Sequence, residues 1–167
     1  MDLLPYDEYV ARMPRQSMSA GALIRDGDGR VLLVEPSYKA EWEIPGGIVE
    51  DDEAPWATVA RELVEEIGLD RPVGRLLVLD HRPPDVPEQL AFVFDGGIIR
   101  SGELDRLVFG PEVVSARLCT PDELRARATL TLVNQVSAAF AALADGTTVL
   151  CAGSRPLSTG EDRLVDR

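Results

Sequence analysis

The stretch "GGIVEDDEAPWATVARELVEEIGL", residues 46–69, gathers Glu62, Glu65 and Glu66 just ahead of Gly68. Read as a helix, this arrangement runs against local electrostatics. Carboxylates three and four residues apart repel by roughly 0.2–0.5 kcal/mol per pair. Acids at the carboxyl end also face the negative end of the helix dipole, at a further cost of about 0.3–1 kcal/mol. A helix shaped by stability alone would carry lysine or arginine there. The three carboxylates therefore read as oxygen ligands for a positive charge that is not in the local sequence. At about 100° per residue, Trp56, Ala60, Leu63 and Ile67 fall within a sector of roughly 60°, and the glutamates occupy a separate sector across from it. The spacing predicts a core face that includes Trp56 and an opposite face of ligands. The helix is expected to start near Asp52 or Glu53, with Pro55 in its first turn.

Those ligands need a scaffold, and the flanking sequence supplies one. Residues 1–17 contain two prolines and read as a loosely packed arm. "MSAGALIRDGDGRVLLVEP" reads as strand, turn and strand, with Asp26-Gly27-Asp28-Gly29 as the turn. "EWEIPGG" is a short extended piece with Trp42 and Ile44 on one side. "VGRLLVL" and "EQLAFVFDGGII" read as strands flanking the proline-rich "DHRPPDVP"; a polar loop over 100–110 and a strand, "VVSARL", follow. Thr120, Pro121 and Glu123 form a capping box for one helix. Leu132, Val136, Phe140 and Leu143 mark the last helix, closed by Asp145-Gly146. Residues 145–167 read as a tail, polar and mobile from Ser154.

The chain has 167 residues, which suits one domain. Its net charge of −12 excludes a protein that coats nucleic acid polymers, since those need a basic surface. No apolar run approaches the ~20 residues of a membrane span, and the first residues lack a secretory pattern. Cys119 and Cys151 have no metal-type spacing and read as reduced thiols of a cytoplasmic protein. A divalent cation would reconcile this acidic chain with a phosphorylated ligand.

Set out with its spacing, the segment is Gly47, five residues, Glu53, seven residues, then "RELVEEIGL" from Arg61 to Leu69. It resembles the Nudix box at all nine defined positions: Gly47, Glu53, Arg61, Glu62, Leu63, Glu65, Glu66, Gly68 and Leu69. The two-strand start, "WEIPGG" and the closing helix extend the likeness over residues 18–144. The resemblance implies an α/β fold, a Nudix-type α/β/α sandwich with a mixed central sheet. It implies Mg²⁺, with Mn²⁺ as substitute, bound through Glu62, Glu65, Glu66 and the Gly46 carbonyl, as hard cations take oxygen ligands. Arg61 would orient a ligand carboxylate, Glu53 would hold the loop against the helix, and Gly47 would permit the turn. The implied reaction is hydrolysis of a nucleoside diphosphate linked to another moiety: a nucleotide, a nucleotide sugar or ADP-ribose. Glu65 is the leading general base; Glu103, Asp105 and Glu112 are the other candidates. Many relatives are dimers, so a homodimer that exchanges the arm is a further expectation.

Two rivals stand beside this reading. A ligand-sensing Nudix domain without catalysis usually has a broken box, whereas this box is intact. A diphosphate isomerase of the same fold relies on a cysteine near the substrate, and neither Cys119 nor Cys151 lies near the box in sequence. His81 reads as a strand-end hydrogen bonder rather than a base. Arg82 and Glu88 are placed to border a substrate pocket; Tyr38 could stack a base, and Trp42 is expected to pack under the sheet. Gly96-Gly97 lacks the surroundings of a phosphate loop.

Overall fold

The computed structural model describes residues 4–83 and 86–157. Strand β1 (Met18–Arg25) is covered on both faces, and this sets the layering. Leu23 enters one apolar cluster, while its neighbours Ala22 and Ile24 enter another on the opposite side of the sheet. Strand β2 (Val31–Pro36) divides in the same way, with Leu33 on one side and Leu32 and Val34 on the other. A strand covered on both faces reads as a continuous apolar run rather than an alternation, as "VLLV" does.

The sheet is completed by β3 (Gly46–Ile48), β4 (Leu76–His81), β5 (Leu90–Ile98), β6 (Val113–Cys119), β7 (Val149–Ala152) and β8 (Arg155–Pro156). Its order is β6-β2-β1-β5-β4-β7-β8, with β3 paired to β1. The pairs β1–β5 and β4–β7 are parallel and the others antiparallel, so the sheet is mixed. The first two strands follow the expected turn, yet they touch as a ladder only at Arg25 and Val31. The rest of that edge of β1 is free to take β3, with Ser19, Ala20 and Gly21 opposite Ile48, Gly47 and Gly46. This pairing carries the glycine loop to the site.

Helix α2 (Pro55–Ile67) covers one face through Val59, Leu63 and Ile67. Helices α4 (Pro121–Arg127) and α5 (Leu130–Asp145) cover the other through Leu124, Leu132, Val136 and Ala139. The result is the α/β/α sandwich that the sequence implied. Thr120 and Glu123 form the expected capping box, and Gly146 ends α5 at φ 68°. Two further helices lie outside these layers, α1 (Tyr6–Ala11) in the N-terminal arm and α3 (Ser101–Leu104) within the expected polar loop. Strands β7 and β8 fall in the stretch read as a tail, and β7 extends the sheet beside β4. The tail beyond residue 157 lies outside the described residues.

Candidate active site

Helix α2 starts at Pro55 after Ala54, whose side chain makes no cap, rather than at Asp52 or Glu53. The difference lies in what Glu53 does. Its carboxylate accepts from Thr58 Oγ1 at 2.7 Å, from Arg61 Nε and Nη2 at 3.0 Å each, and from the Glu50 N–H at 3.3 Å. Asp52, at φ 64°, reverses the chain just before it. A two-pronged contact with a guanidinium is among the stronger charge-assisted pairs. It holds Glu53 down at about 2 and raises the Arg61 guanidinium further.

Arg61 spends its remaining donors on the site. Nη1 reaches Glu62 Oε1 at 2.7 Å and Glu65 Oε2 at 3.0 Å, and Nη2 reaches the Ile48 carbonyl at 3.3 Å. One arginine thus links the start of the segment, strand β3 and two of the three clustered carboxylates. The sequence showed Arg61 and Glu53 as separate positions; Thr58, which fixes Glu53, carried no signal of its own.

The faces of α2 differ from the expected division. Trp56 is 62% exposed and Ala60 is exposed too. The helix's first turn lies at the rim, where Trp56 and Ala60 border a shallow hollow with Val73 and Phe94. Leu63 and Ile67 are in the core as expected, and Val59 and Thr58 take the place of Trp56 and Ala60. At about 100° per residue, Glu62 and Glu66 lie between Thr58 and Leu63, inside this buried arc rather than across from it. Glu65 alone of the three points fully outward, with a side chain 59% exposed.

Glu62 and Glu66 are half-buried because β3 lies over them. Glu66 Oε2 accepts from the Gly46 N–H at 2.9 Å. Gly47 lies so close to Glu62 that an added Cβ would overlap Oε1 and stand 2.7 Å from Cδ. A side chain there would push the Glu62 carboxylate aside. Gly47→Ala should therefore displace Glu62 and lower kcat about ten- to a hundredfold, the usual range when a ligand's orientation is lost. Thermal denaturation checks the cause: stability lost in Gly47→Ala should return when Glu62→Ala is added.

The carboxyl end of α2 is not left bare. Gly68 (φ 65°) donates to the Val64 carbonyl and Leu69 to that of Leu63. Val108 and Gly110 then donate to the carbonyls of Ile67 and Glu66. This loop brings Glu112 to the site. A cavity of about 660 Å³ is lined by Arg61, Glu62, Glu65, Glu66 and Glu112, with Ile48 at its edge. Glu103 lies elsewhere, bonded to Arg71 at 2.7 Å and to the Arg100 N–H at 3.0 Å, and Asp105 ends α3. Of the four base candidates, Glu65 and Glu112 share the cavity.

A second cavity, of about 420 Å³, meets the first at Ile48 and extends past Gly46 and Gly47. Tyr38, Phe92, Arg82, Glu88 and Gln135 line it. Arg82 and Glu88 form an ion pair at 3.1 Å, so both named residues border a pocket as expected. Trp42 is 8% exposed and packs beneath the Arg127 guanidinium, 4.6 Å from its ring centre. His81 is exposed at the end of β4, where its carbonyl accepts from the Gly153 N–H. Cys119 and Cys151 are both buried and free.

Burial pushes the Glu66 carboxyl up to about 8, against the Gly46 N–H and with the repulsion of Glu62, Glu43 and Glu112 added. Burial also raises Glu62, and Arg61 opposes this. A carboxyl raised on folding keeps a proton that the unfolded chain has shed. Without metal, stability should therefore fall as pH rises from about 4.5 to about 8. Glu66→Gln should flatten that slope, which melting curves across the range in a chelating buffer would register.

Among the described residues, no three acidic, histidine or cysteine side chains already converge as a closed cage. Glu62 and Glu65 turn to Arg61, and Glu66 turns to Gly46. The donors are nevertheless all hard oxygens, the type that a divalent cation of the magnesium kind takes.

Comparisons with known proteins bear on the family and the fold. A profile of the NUDIX domain matches residues 15–140. A MutT-like protein of Streptomyces ambofaciens is 44% identical over 64 residues, 38% of this chain and 41% of that protein. An 8-oxo-dGTP diphosphatase of Proteus vulgaris is 36% identical over 74 residues, 42% of this chain and 64% of that one. The matched stretch thus spans less than two-thirds of either relative. The crystal structure of an ADP-ribose pyrophosphatase from Streptococcus suis superposes with a TM-score of 0.65 at 19% identity, covering 83% of this chain and 99% of that chain. At that identity it shows the fold.

Proposed function

Because the chain belongs to the NUDIX family, we propose that it is a divalent-metal-dependent pyrophosphohydrolase that cleaves the diphosphate of a nucleoside diphosphate linked to another moiety. The observation that carries this reading is the Arg61 hub, which ties Glu53, Glu62, Glu65 and strand β3 into one unit at the mouth of a cavity. Enzymes hold charged groups in fixed positions where charge develops in the transition state, and this hub fixes the carboxylates before substrate arrives.

Glu62, Glu65, Glu66 and the Gly46 carbonyl would hold Mg²⁺ or Mn²⁺. Bound there, the ion would supply charge neutralisation for the diphosphate oxygens and polarisation of the attacking water. The chain's own groups do the rest. Arg61 keeps Glu62 and Glu65 from rotating away, and Glu53 and Thr58 keep Arg61 in place. Gly46 orients Glu66 through its N–H. Glu65 accepts the proton of the attacking water, since it is the most exposed carboxylate of the cluster and Arg61 holds it at the cavity; Glu112 is the alternative across the cavity. The nucleoside lies beyond β3, in the cavity that Tyr38 and Gln135 line.

Among such substrates, an oxidised nucleoside triphosphate has the support of a sequence relative, the 8-oxo-dGTP diphosphatase. Phosphate release measured over nucleotides, dinucleoside polyphosphates, nucleotide sugars and ADP-ribose, with and without Mg²⁺, tests the reading. Metal-dependent turnover of at least one class supports it. No turnover of any class would favour a ligand-sensing domain instead.

A further inference from the structure

The cavity beyond β3 has a polar residue in its wall whose orientation is fixed. Gln135 of α5 lines it, and its side-chain nitrogen donates to Asp80 Oδ2 at 2.8 Å. Asp80, on β4, is 0% exposed, and its other oxygen accepts from the Ser154 N–H at 2.9 Å. Both Asp80 oxygens accept, and the amide meets the carboxylate through its nitrogen. Gln135 cannot flip without losing that bond. No donor among the described residues reaches its Oε1, and no buried side-chain oxygen among them lacks a partner. Gln135 is 7% exposed and lines the cavity, and its bond to Asp80 leaves Oε1 as the side-chain group available to a ligand there. A hydrogen-bond acceptor is fixed in the wall.

The clamp comes from outside the part of the chain that matches the family profile, residues 15–140. Ser154 sits in the turn between β7 and β8 at φ 63°, a conformation uncommon for any residue but glycine. It is 5% exposed, and Asn134 Nδ2 donates to its Oγ at 3.3 Å. The C-terminal hairpin is thus tied to the same helix, α5, that carries Gln135.

We propose that Gln135 is a specificity-determining residue that accepts a hydrogen bond from an amino group of the substrate's nucleobase, and that Asp80, clamped by the β7–β8 turn, is the residue that positions it. The proposal rests on the nucleotide reading given above. Tyr38 lines the same cavity, and its ring offers a surface to a flat base. Bases that carry an amino group, adenine and cytosine, should be preferred to the counterparts that carry a carbonyl at the same position, hypoxanthine and uracil. A site built to pair with one polar group discriminates strongly against a ligand that leaves it unpaired.

Titration calorimetry with AMP against IMP, and CMP against UMP, tests this without turnover. The wild type should bind the amino member of at least one pair about tenfold more tightly. In Asp80→Asn, one side-chain oxygen still accepts from Ser154, while the new amide nitrogen donates to Gln135. The glutamine then turns over and presents its N–H groups to the cavity. The preference should vanish or reverse, with a melting temperature near that of the wild type. Gln135→Met removes the acceptor and keeps the volume, so both members should bind equally; it serves if Asp80→Asn does not fold. An unchanged preference in a folded variant, or no preference in the wild type, would overturn the proposal. Base preference without any phosphate release would sink the hydrolase reading and leave this one standing; hydrolysis without base preference would do the opposite.

Discussion

Glu66→Gln is expected to lower kcat about a hundredfold or more while the protein stays folded. Loss of groups that merely orient a metal ligand costs about 10–100-fold, and Glu66 is assigned here as a ligand itself. The substitution is close to isosteric, and the new amide oxygen can still accept from the Gly46 N–H that Glu66 now meets at 2.9 Å. Without metal the variant should melt at the same temperature or higher near neutral pH, because Glu66 has to take up a proton on folding and glutamine does not. Steady-state kinetics on the best substrate of the panel, paired with a melting curve in chelator, separates the two effects. Near-wild-type turnover would contradict the assignment of Glu66.

Arg61→Lys is expected to lower kcat about ten- to a hundredfold with KM nearly unchanged. Lysine keeps the charge but offers no planar fork. It cannot grip both oxygens of Glu53 while reaching Glu62, Glu65 and the Ile48 carbonyl, as Arg61 does. The carboxylates would remain present but unsteered. Because Arg61 is assigned to orientation, ground-state binding of the nucleotide should survive. A large rise in KM at constant kcat would mean that Arg61 binds substrate directly.

The spacing of Gly47, Glu53, Arg61, Glu62, Glu65 and Glu66 was legible as a unit because one helix and the loop before it fix most of their relative positions. Their environment was not. Whether a helical glutamate is solvated or buried depends on what lies over it, and here β3 is brought over Glu62 and Glu66 by pairing with β1. No local pattern states that pairing, which is why two carboxylates expected on a free face sit within the buried arc. Trp56 failed for the related reason that helical angle ignores where the helix ends relative to the sheet. An indole in the first turn can share the core's direction and still project past its rim.

The strands were legible from their apolar runs and turn residues, while their neighbours were not. "MSAGALIR" and "VLLVEP" look like a hairpin, yet β1 makes its long ladder in parallel with β5. Strands β7 and β8 were missed because "VLCA" is short and follows a strong helix stop. Parallel pairing with β4, set by α5 crossing the sheet, gives that stretch its structure. Asp80 and Gln135 are 55 residues apart in sequence, and nothing short of the fold joins them.

Titration of Mn²⁺ followed by electron paramagnetic resonance tests the metal assignment most directly, since free ion is read without any substrate. The wild type should remove Mn²⁺ from solution saturably, and Mg²⁺ should release it. The triple variant Glu62→Gln, Glu65→Gln, Glu66→Gln, which leaves the rest of this acidic surface in place, should lose that binding while still melting cooperatively. Equal binding by the wild type and the folded triple variant would place the ion elsewhere, and the carboxylates of α2 would then not be its site.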